Sequence, residues 1–178
     1  QGYVRLGGTK DLPLSLKVGR QEISYGDERL IGAFDWDNMG RVFDAGKLRY
    51  EHSEFWLDAF VGRVVILNDN QFDQPNWDDW FSGIYGSTRA LVPKTEVQLY
   101  FLADNSSAGS PKDVTTAGKG NSPRDIYTIG ARFQTLPGQL HGWDLNGEFA
   151  GQFGDFEYAP GTPGVVNGQR LNQLAYAT

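Results

Sequence analysis

Apolar and polar side chains alternate one by one along several stretches of the chain, and no long window shows apolar residues at helical spacing. In the stretch 94–103 every second residue from Thr95 to Ala103 is apolar or small, and the opposite face carries Lys94, Glu96, Gln98 and Tyr100. The stretches 125–134 and 142–153 repeat this pattern. Because successive side chains of a β-strand point to opposite faces, the pattern predicts strands with one apolar and one polar face.

Weaker alternation extends the prediction to about eight strands. Most of them are near the roughly 9–11 residues that a tilted membrane strand requires. The predicted strands are 14–21, 41–51, 55–65, 80–88, 94–103, 125–134, 142–153 and 170–178.

The connections between these strands alternate between short and long. An up-and-down barrel in an outer membrane has short turns at one rim and long loops at the other, whereas Greek-key sandwiches mix connection lengths. The short turns are predicted near 52–53, 90–93 and 136–138, and the long loops over 26–40, 66–79, 104–124 and 154–169. The predicted fold is therefore an all-β, antiparallel, up-and-down transmembrane β-barrel. The alternative is a soluble β-sandwich or small barrel that binds carbohydrate through loop Trp residues.

Composition narrows the function classes. The 178 residues include no cysteine, which excludes disulfides, zinc–thiolate sites and cysteine nucleophiles. With 16 Lys and Arg against 22 Asp and Glu, the net charge of −6 argues against a nucleic-acid binder, which needs a basic surplus. The longest aliphatic run, at 64–67, is far shorter than the roughly 20 residues of a membrane-spanning helix.

No pattern in the sequence indicates catalysis. The two histidines, His52 and His141, lie at or beside predicted turns, and neither Gly-x-Ser-x-Gly nor a His-x-x-x-His ligand pair occurs. Asp144 and Glu148 share one strand face about 13 Å apart, which is too far for a retaining glycosidase pair. We therefore expect a protein that is not an enzyme and needs no cofactor.

Charge is distributed unevenly between the predicted faces. The basic residues of the polar face are Lys17, Arg41, Lys47, Arg49, Lys94 and Arg132, and the acidic ones are Glu51, Glu96, Asp144 and Glu148. A basic lumen favours anions, although mixed charges that only solvate a water-filled wall explain the same pattern. The alternation does not decide which face Arg20, Arg63 and Arg170 take.

The loop 66–79 combines aromatic and acidic residues. Trp and Tyr concentrate where hydrocarbon meets headgroups, so aromatic residues at the strand ends predict an interfacial girdle. Stacking of a sugar on the loop indoles is the functional alternative. The carboxylates of the loop also suit Ca²⁺, although their spacing is not that of an EF-hand. The candidate loop site for a solute or Ca²⁺ comprises Asp69, Asp73, Trp77, Asp78, Asp79 and Trp80.

The stretch 16–32 reads Leu-Lys-Val-Gly-Arg-Gln-Glu-Ile-Ser-Tyr-Gly-Asp-Glu-Arg-Leu-Ile-Gly and resembles the alginate-export family of outer-membrane barrels. The resemblance continues through 34–36, 40–41 and 43–45, and more generically in 128–132 and 144–154. It implies one large barrel of roughly 16–18 strands with Arg and Lys lining its lumen. The residues that it suggests for this lining are Arg20, Arg41, Lys47, Arg49 and Arg132, and the face pattern adds Lys17.

The resemblance also implies a function and a setting. The chain would be part of a single barrel domain, spanning 1–178 and cut at both ends, in the outer membrane of a Gram-negative cell. It would act as a channel or porin for passive export or diffusion of anionic or carbohydrate solutes, an alginate-like polysaccharide among them. The implied partners are the lipid bilayer, the anionic or sugar solute and periplasmic export proteins, with no nucleic acid.

Overall fold

The structure is a computed structural model, and it describes residues 1–9, 12–33, 40–67, 72–107, 123–157 and 169–178. The strands are β1 (Gly2–Gly7), β2 (Leu14–Gln21), β3 (Phe43–Glu51), β4 (Phe55–Ile66), β5 (Gln74–Pro75), β6 (Asp79–Thr88), β7 (Thr95–Ser106), β8 (Arg124–Thr135), β9 (Asn146–Glu157) and β10 (Arg170–Ala177). Within these ranges no helix is long and apolar enough to cross a membrane.

All ten strands belong to one antiparallel sheet in which each strand pairs with its neighbour along the chain, and the short β5 pairs with the end of β4. This order confirms the prediction of an all-β, antiparallel, up-and-down fold. The sheet is open, because β1 and β10 are its two edges. The described residues therefore form one sheet, and the alternative of a two-sheet sandwich is wrong for them.

The strand register places apolar side chains in continuous rows on one face of the sheet, termed the apolar face. Most of these side chains are exposed, although they are large and hydrophobic. One such row crosses nine strands through Leu6, Leu16, Leu48, Ala59, Ile84, Phe101, Ile129, Gly151 and Tyr176. An exposed apolar surface of this extent requires a partner, because soluble proteins rarely leave so much hydrophobic area in water.

The opposite face, termed the covered face, contains the buried core. The core cluster comprises Ile23, Tyr25, Ile31, Phe43, Ala45, Phe60, Tyr85, Tyr100, Leu102 and Ala150. The first three of these residues do not belong to the sheet. They come from the connection between β2 and β3, so the core depends on a segment that packs against the sheet from one side.

That segment, residues 22–33, is termed the cover segment because it folds back over the covered face. Ile23 and Ile31 are buried, and burying each of these side chains contributes about 1.5–3 kcal/mol. The ring of Tyr25 stacks on the ring of Tyr85 in β6, with the two centroids 4.2 Å apart. The cover segment is thus fixed by packing on the sheet rather than by strand pairing.

The shorter and longer connections alternate between the two rims of the sheet, as predicted, although the connection after β8 spans 136–145 and not only the predicted turn 136–138. The strand ends that flank 8–13, 52–54, 89–94 and 136–145 lie at one rim of the sheet, termed the short-loop rim. Those that flank 22–42, 67–78, 107–123 and 158–169 lie at the other, termed the long-loop rim. The cover segment begins at the long-loop rim.

Candidate functional site

Four basic side chains gather on the covered face where β1, β2 and β3 pair. The register places Arg5 opposite Lys17 and Lys17 opposite Lys47, and Arg49 lies two residues further along β3. Because residues two apart on a strand point to the same side, all four side chains share one face. They line a pocket of about 150 Å³, termed the basic pocket, together with Tyr3 and Ser15.

A single buried carboxylate neutralises part of this pocket. Asp58 in β4 is fully buried and accepts hydrogen bonds from Nε and Nη2 of Arg49 at 2.6 and 2.9 Å. Nζ of Lys47 lies 3.6 Å from the same carboxylate. A buried carboxylate is tolerated only when it is paired and hydrogen-bonded in this way. Asp58 therefore holds Arg49 and Lys47 in place.

Arg5 and Lys17 differ from these two cations because neither forms a salt bridge within the part of the chain that the structure describes. The Lys17 Nζ lies 3.8 Å from the centroid of the Tyr3 ring. A ring face attracts a cation but carries no net charge, so it does not neutralise the ammonium group. Among the described residues, the positive charge on the β1–β2 side of the basic pocket is therefore uncompensated.

The far end of the cover segment neutralises another basic residue of the covered face. Asp27 accepts a hydrogen bond of 2.7 Å from Nη2 of Arg132 in β8 and one of 2.8 Å from Nδ2 of Asn146 in β9. The hydrogen bonds from Asn146 and then Arg132 hold the pKa of Asp27 below its ordinary value. Arg132 is only 3% exposed, so it serves this contact and offers almost no surface to a solute.

Tyrosines fill the covered face between these two groups of charges. Tyr25, Tyr85 and Tyr100 stack in sequence, with centroids 4.2 and 5.2 Å apart. The hydroxyl of Tyr100 donates to Glu148 and the hydroxyl of Tyr25 donates to Asp58. Burial, and then the charge of Asp58, raises the pKa of Tyr25, which keeps its phenol neutral.

Comparison with known proteins assigns the family. A family model described as alginate export matches residues 1–178, the whole chain. The chain belongs to the alginate-export family. Neither the curated proteins nor the solved structures gave a match. Membership agrees with the resemblance found in the sequence, and it supports an export channel of the outer membrane.

The structure places the predicted lining residues of this alginate-export chain in different surroundings. Lys17, Lys47 and Arg49 meet in the basic pocket. Arg132 shares their face but lies beside the tip of the cover segment, bound to Asp27. Arg41 precedes β3 at the long-loop rim and is exposed. Three of the six candidates thus form one site, and Arg41, Arg132 and Arg20 do not join it.

Arg20 was predicted to be a lining residue, but it does not lie on the covered face. It lies three residues after Lys17 on β2, and an odd separation on a strand places two side chains on opposite faces. Arg20 instead shares the apolar face with Val18 near the long-loop rim. There it donates two hydrogen bonds to Asp44, at 2.8 and 2.9 Å.

The candidate loop site is described only in part. Asp69 lies outside the described residues, and the other carboxylates serve separate contacts. Asp78 accepts a hydrogen bond from Ser107, and Asp79 accepts one from Ser106. Asp73 contributes its main-chain oxygen to Arg20. Across the residues described by the structure, no group of three or more His, Asp or Glu side chains could hold a metal ion. The indoles of Trp77 and Trp80 lie against Arg63.

Sequence reasoning missed Arg5, the first cation of the basic pocket. The signal was present in Tyr3-Val4-Arg5-Leu6, where apolar and polar residues alternate. Only six residues form β1, which is too short a run to stand out by periodicity. The pairing of β1 with β2 gives Arg5 its role, because that pairing sets it opposite Lys17.

Proposed function

We propose that the chain forms part of the wall of an outer-membrane channel for passive export or diffusion of anionic or carbohydrate solutes, in a Gram-negative type of cell. In this orientation the apolar face contacts lipid and the covered face lines the lumen. The exposed apolar rows support the first assignment, because hydrocarbon accepts apolar side chains on strands whose backbone groups are paired. The charged side chains of the covered face support the second, because a polar face suits a water-filled lumen.

The observation that carries the proposal is the basic pocket with its uncompensated charge. Arg5 and Lys17 face the lumen without a carboxylate partner among the described residues, so they are available to a passing anion. Such side chains attract a solute and still release it, because each contact is exposed to water and weak. An alginate-like polysaccharide, which carries a carboxylate on each sugar ring, fits this chemistry. Transport of this kind involves no covalent step and no cofactor.

Ion selectivity of the reconstituted channel that contains this chain tests the proposal. Arg5→Gln and Lys17→Gln are combined, and the reversal potential is measured in a planar bilayer under a salt gradient. We expect the anion-to-cation permeability ratio to fall roughly twofold, because two cations leave the lumen wall. Arg49 and Lys47 are left intact, since removing them would expose the buried charge of Asp58.

Arg20→Gln is the matched control, because it removes one positive charge from the opposite face of the same strand β2. We expect its reversal potential to equal that of the unmodified channel. An unchanged potential in the double variant, or an equal shift in the control, would reject the basic pocket as the source of selectivity.

A further inference from the structure

A row of polar residues crosses the apolar face beside the long-loop rim. The register pairs Arg20 with Asp44 and Asp44 with Arg63, and further along the sheet it pairs Asn105 with Asp125 and Asp125 with Asp155. This set, together with Trp80, is termed the rim row. It begins directly where the exposed apolar side chains end, two residues beyond Val18, Val61 and Phe153. In the proposed orientation this is the depth at which hydrocarbon gives way to lipid headgroups.

Arg63 is the cation of the rim row that has no anionic partner among the described residues. Arg20 is bound to Asp44, and Arg170 lies 2.8 Å from Asp155. The Arg63 guanidinium instead lies between two indoles, with its Cζ 4.5 Å from the Trp77 ring centroid and 3.9 Å from that of Trp80.

This arrangement leaves hydrogen-bonding capacity unused. Nε and Nη1 of Arg63 are buried and find no acceptor in the described part of the chain. Indoles hold a guanidinium through their ring faces but offer it no oxygen. Trp77 and Trp80 are 68% and 46% exposed, so a ligand at the surface can reach the cluster. An anion at this surface would supply the missing charge, and its oxygens are the acceptors that the indoles lack.

A groove in the apolar face leads away from this cluster. It has a volume of about 530 Å³, and its lining includes Gly46, Ala59, Val61, Ser82, Ile84 and Phe101. Small side chains on β3, β4 and β6 leave the space open. Val61 shares the face of Arg63 and lies two residues before it on β4, which is about 7 Å along a strand. The cation is therefore adjacent to an apolar channel that suits a hydrocarbon chain.

We propose that Arg63, Trp77 and Trp80 bind the phosphate of a membrane lipid whose acyl chain occupies this groove. The charge selects an anion, the planar guanidinium suits phosphate oxygens, and the groove selects a lipid over free phosphate. The site rests on the proposed function to the extent that the apolar face contacts lipid. It belongs to the lipid side of the wall and takes no part in solute passage.

Native mass spectrometry of the full chain in neutral detergent tests the site. The probes are dioctanoyl phosphatidic acid, dioctanoylglycerol with the same acyl chains but no phosphate, and inorganic phosphate. We expect phosphatidic acid to bind more tightly than dioctanoylglycerol, and Arg63→Gln to weaken its binding about tenfold. Arg170→Gln removes a paired arginine from the same face and rim, and we expect it to change the affinity less than about twofold.

Two further variants separate the parts of the site. Ala59→Leu fills the groove and keeps Arg63, so we expect it to weaken the binding of phosphatidic acid. Arg63→Lys keeps the positive charge, and we expect it to retain more binding than Arg63→Gln. If Arg63→Gln fails to fold, Arg63→Lys and Ala59→Leu are compared with the unmodified chain instead. The proposal would be overturned if Arg63→Gln bound phosphatidic acid as tightly as the unmodified chain. It would also be overturned if both Arg63→Lys and Ala59→Leu did so. Displacement of the lipid by an equal concentration of inorganic phosphate would also overturn it.

Insertion of the same chain into vesicles, followed by protection from protease, distinguishes this site from the channel. If the chain binds phosphatidic acid through Arg63 but does not insert, the channel proposal is rejected and the anionic-lipid site is retained. If the chain inserts but binds phosphatidic acid equally well without Arg63, only the proposal of this lipid site is rejected.

Discussion

The hydroxyl of Tyr25 donates a 2.7 Å hydrogen bond to the buried carboxylate of Asp58, across 33 residues of sequence. The same carboxylate accepts from Arg49 in the basic pocket. Asp58 in β4 thus joins the packing of the cover segment to the position of a cation in the basic pocket. Changes that loosen the cover segment should therefore also disturb the basic pocket.

Tyr25→Phe should lower the free energy of unfolding by about 1–2 kcal/mol, because it removes one hydrogen bond to a buried charged group and keeps the ring. Denaturant unfolding of the full chain in detergent micelles measures the change. Tyr50→Phe removes the hydroxyl of an exposed tyrosine that packs on Phe55, and should be close to neutral. Equal losses in the two variants would contradict a specific role for the Tyr25 hydroxyl.

Asp58→Asn should cost about 3–5 kcal/mol of stability, because it leaves two cations without their shared buried partner. Adding Arg49→Gln to this variant should restore part of the loss, since the most strongly paired cation is then also neutral. The unfolding free energies of the two single variants and the double variant complete the cycle. Additive losses would show that Arg49 and Asp58 do not act as a pair.

Acid should release the tip of the cover segment. The pKa of Asp27 is lowered in the folded chain, so its contribution to stability is fully present above the unfolded-state value of 3.8. It is lost as the pH falls through the lower folded-state pKa. We expect the difference in unfolding free energy between the unmodified chain and Asp27→Asn to be constant above about pH 5 and to shrink below the ordinary pKa. A difference that stays constant in acid would rule out this linkage.

Gly26→Ala should destabilise the chain by more than Gly138→Ala. Both glycines have positive φ, +58° and +74°, so both substitutions carry the left-handed cost of about 1–2 kcal/mol. A Cβ on Gly26 would also lie 3.3 Å from Tyr85 Oη and from Arg132 Cδ, whereas one on Gly138 would meet nothing within 4 Å. Thermal unfolding of both variants measures the difference. Equal midpoints would mean that the cover segment adjusts to the added methyl group.

Local alternation was sufficient to predict most of the fold, because strands of this kind carry their two faces in their own residues. β2 was predicted with the bounds that the structure gives it. β9 was predicted to start at 142 but starts at Asn146, because His141 and Gly142 have positive φ and interrupt the extended backbone. β5 was missed, since two residues show no periodicity.

The site was only partly predictable, because two of its determinants are not local. Alternation assigned Lys17, Lys47 and Arg49 to one face, and strand pairing brought them together. The sequence did not predict that the cover segment folds back over the covered face, because the contacts of Tyr25 and Asp27 join segments that are far apart in sequence. Those contacts decide which cations are neutralised, and only the folded chain shows them.

In the proposed orientation, the cover segment also makes the two halves of the lumen wall electrically unequal. Toward β8 and β9 its tip cancels the charge of Arg132, while toward β1 and β2 the charges of Arg5 and Lys17 remain open. In a conduit built this way, a long anionic polymer would slide along one side rather than down the axis. Its contact with the protein would be a narrow track, and the aromatic half of the wall would offer it no unpaired cation among the described residues.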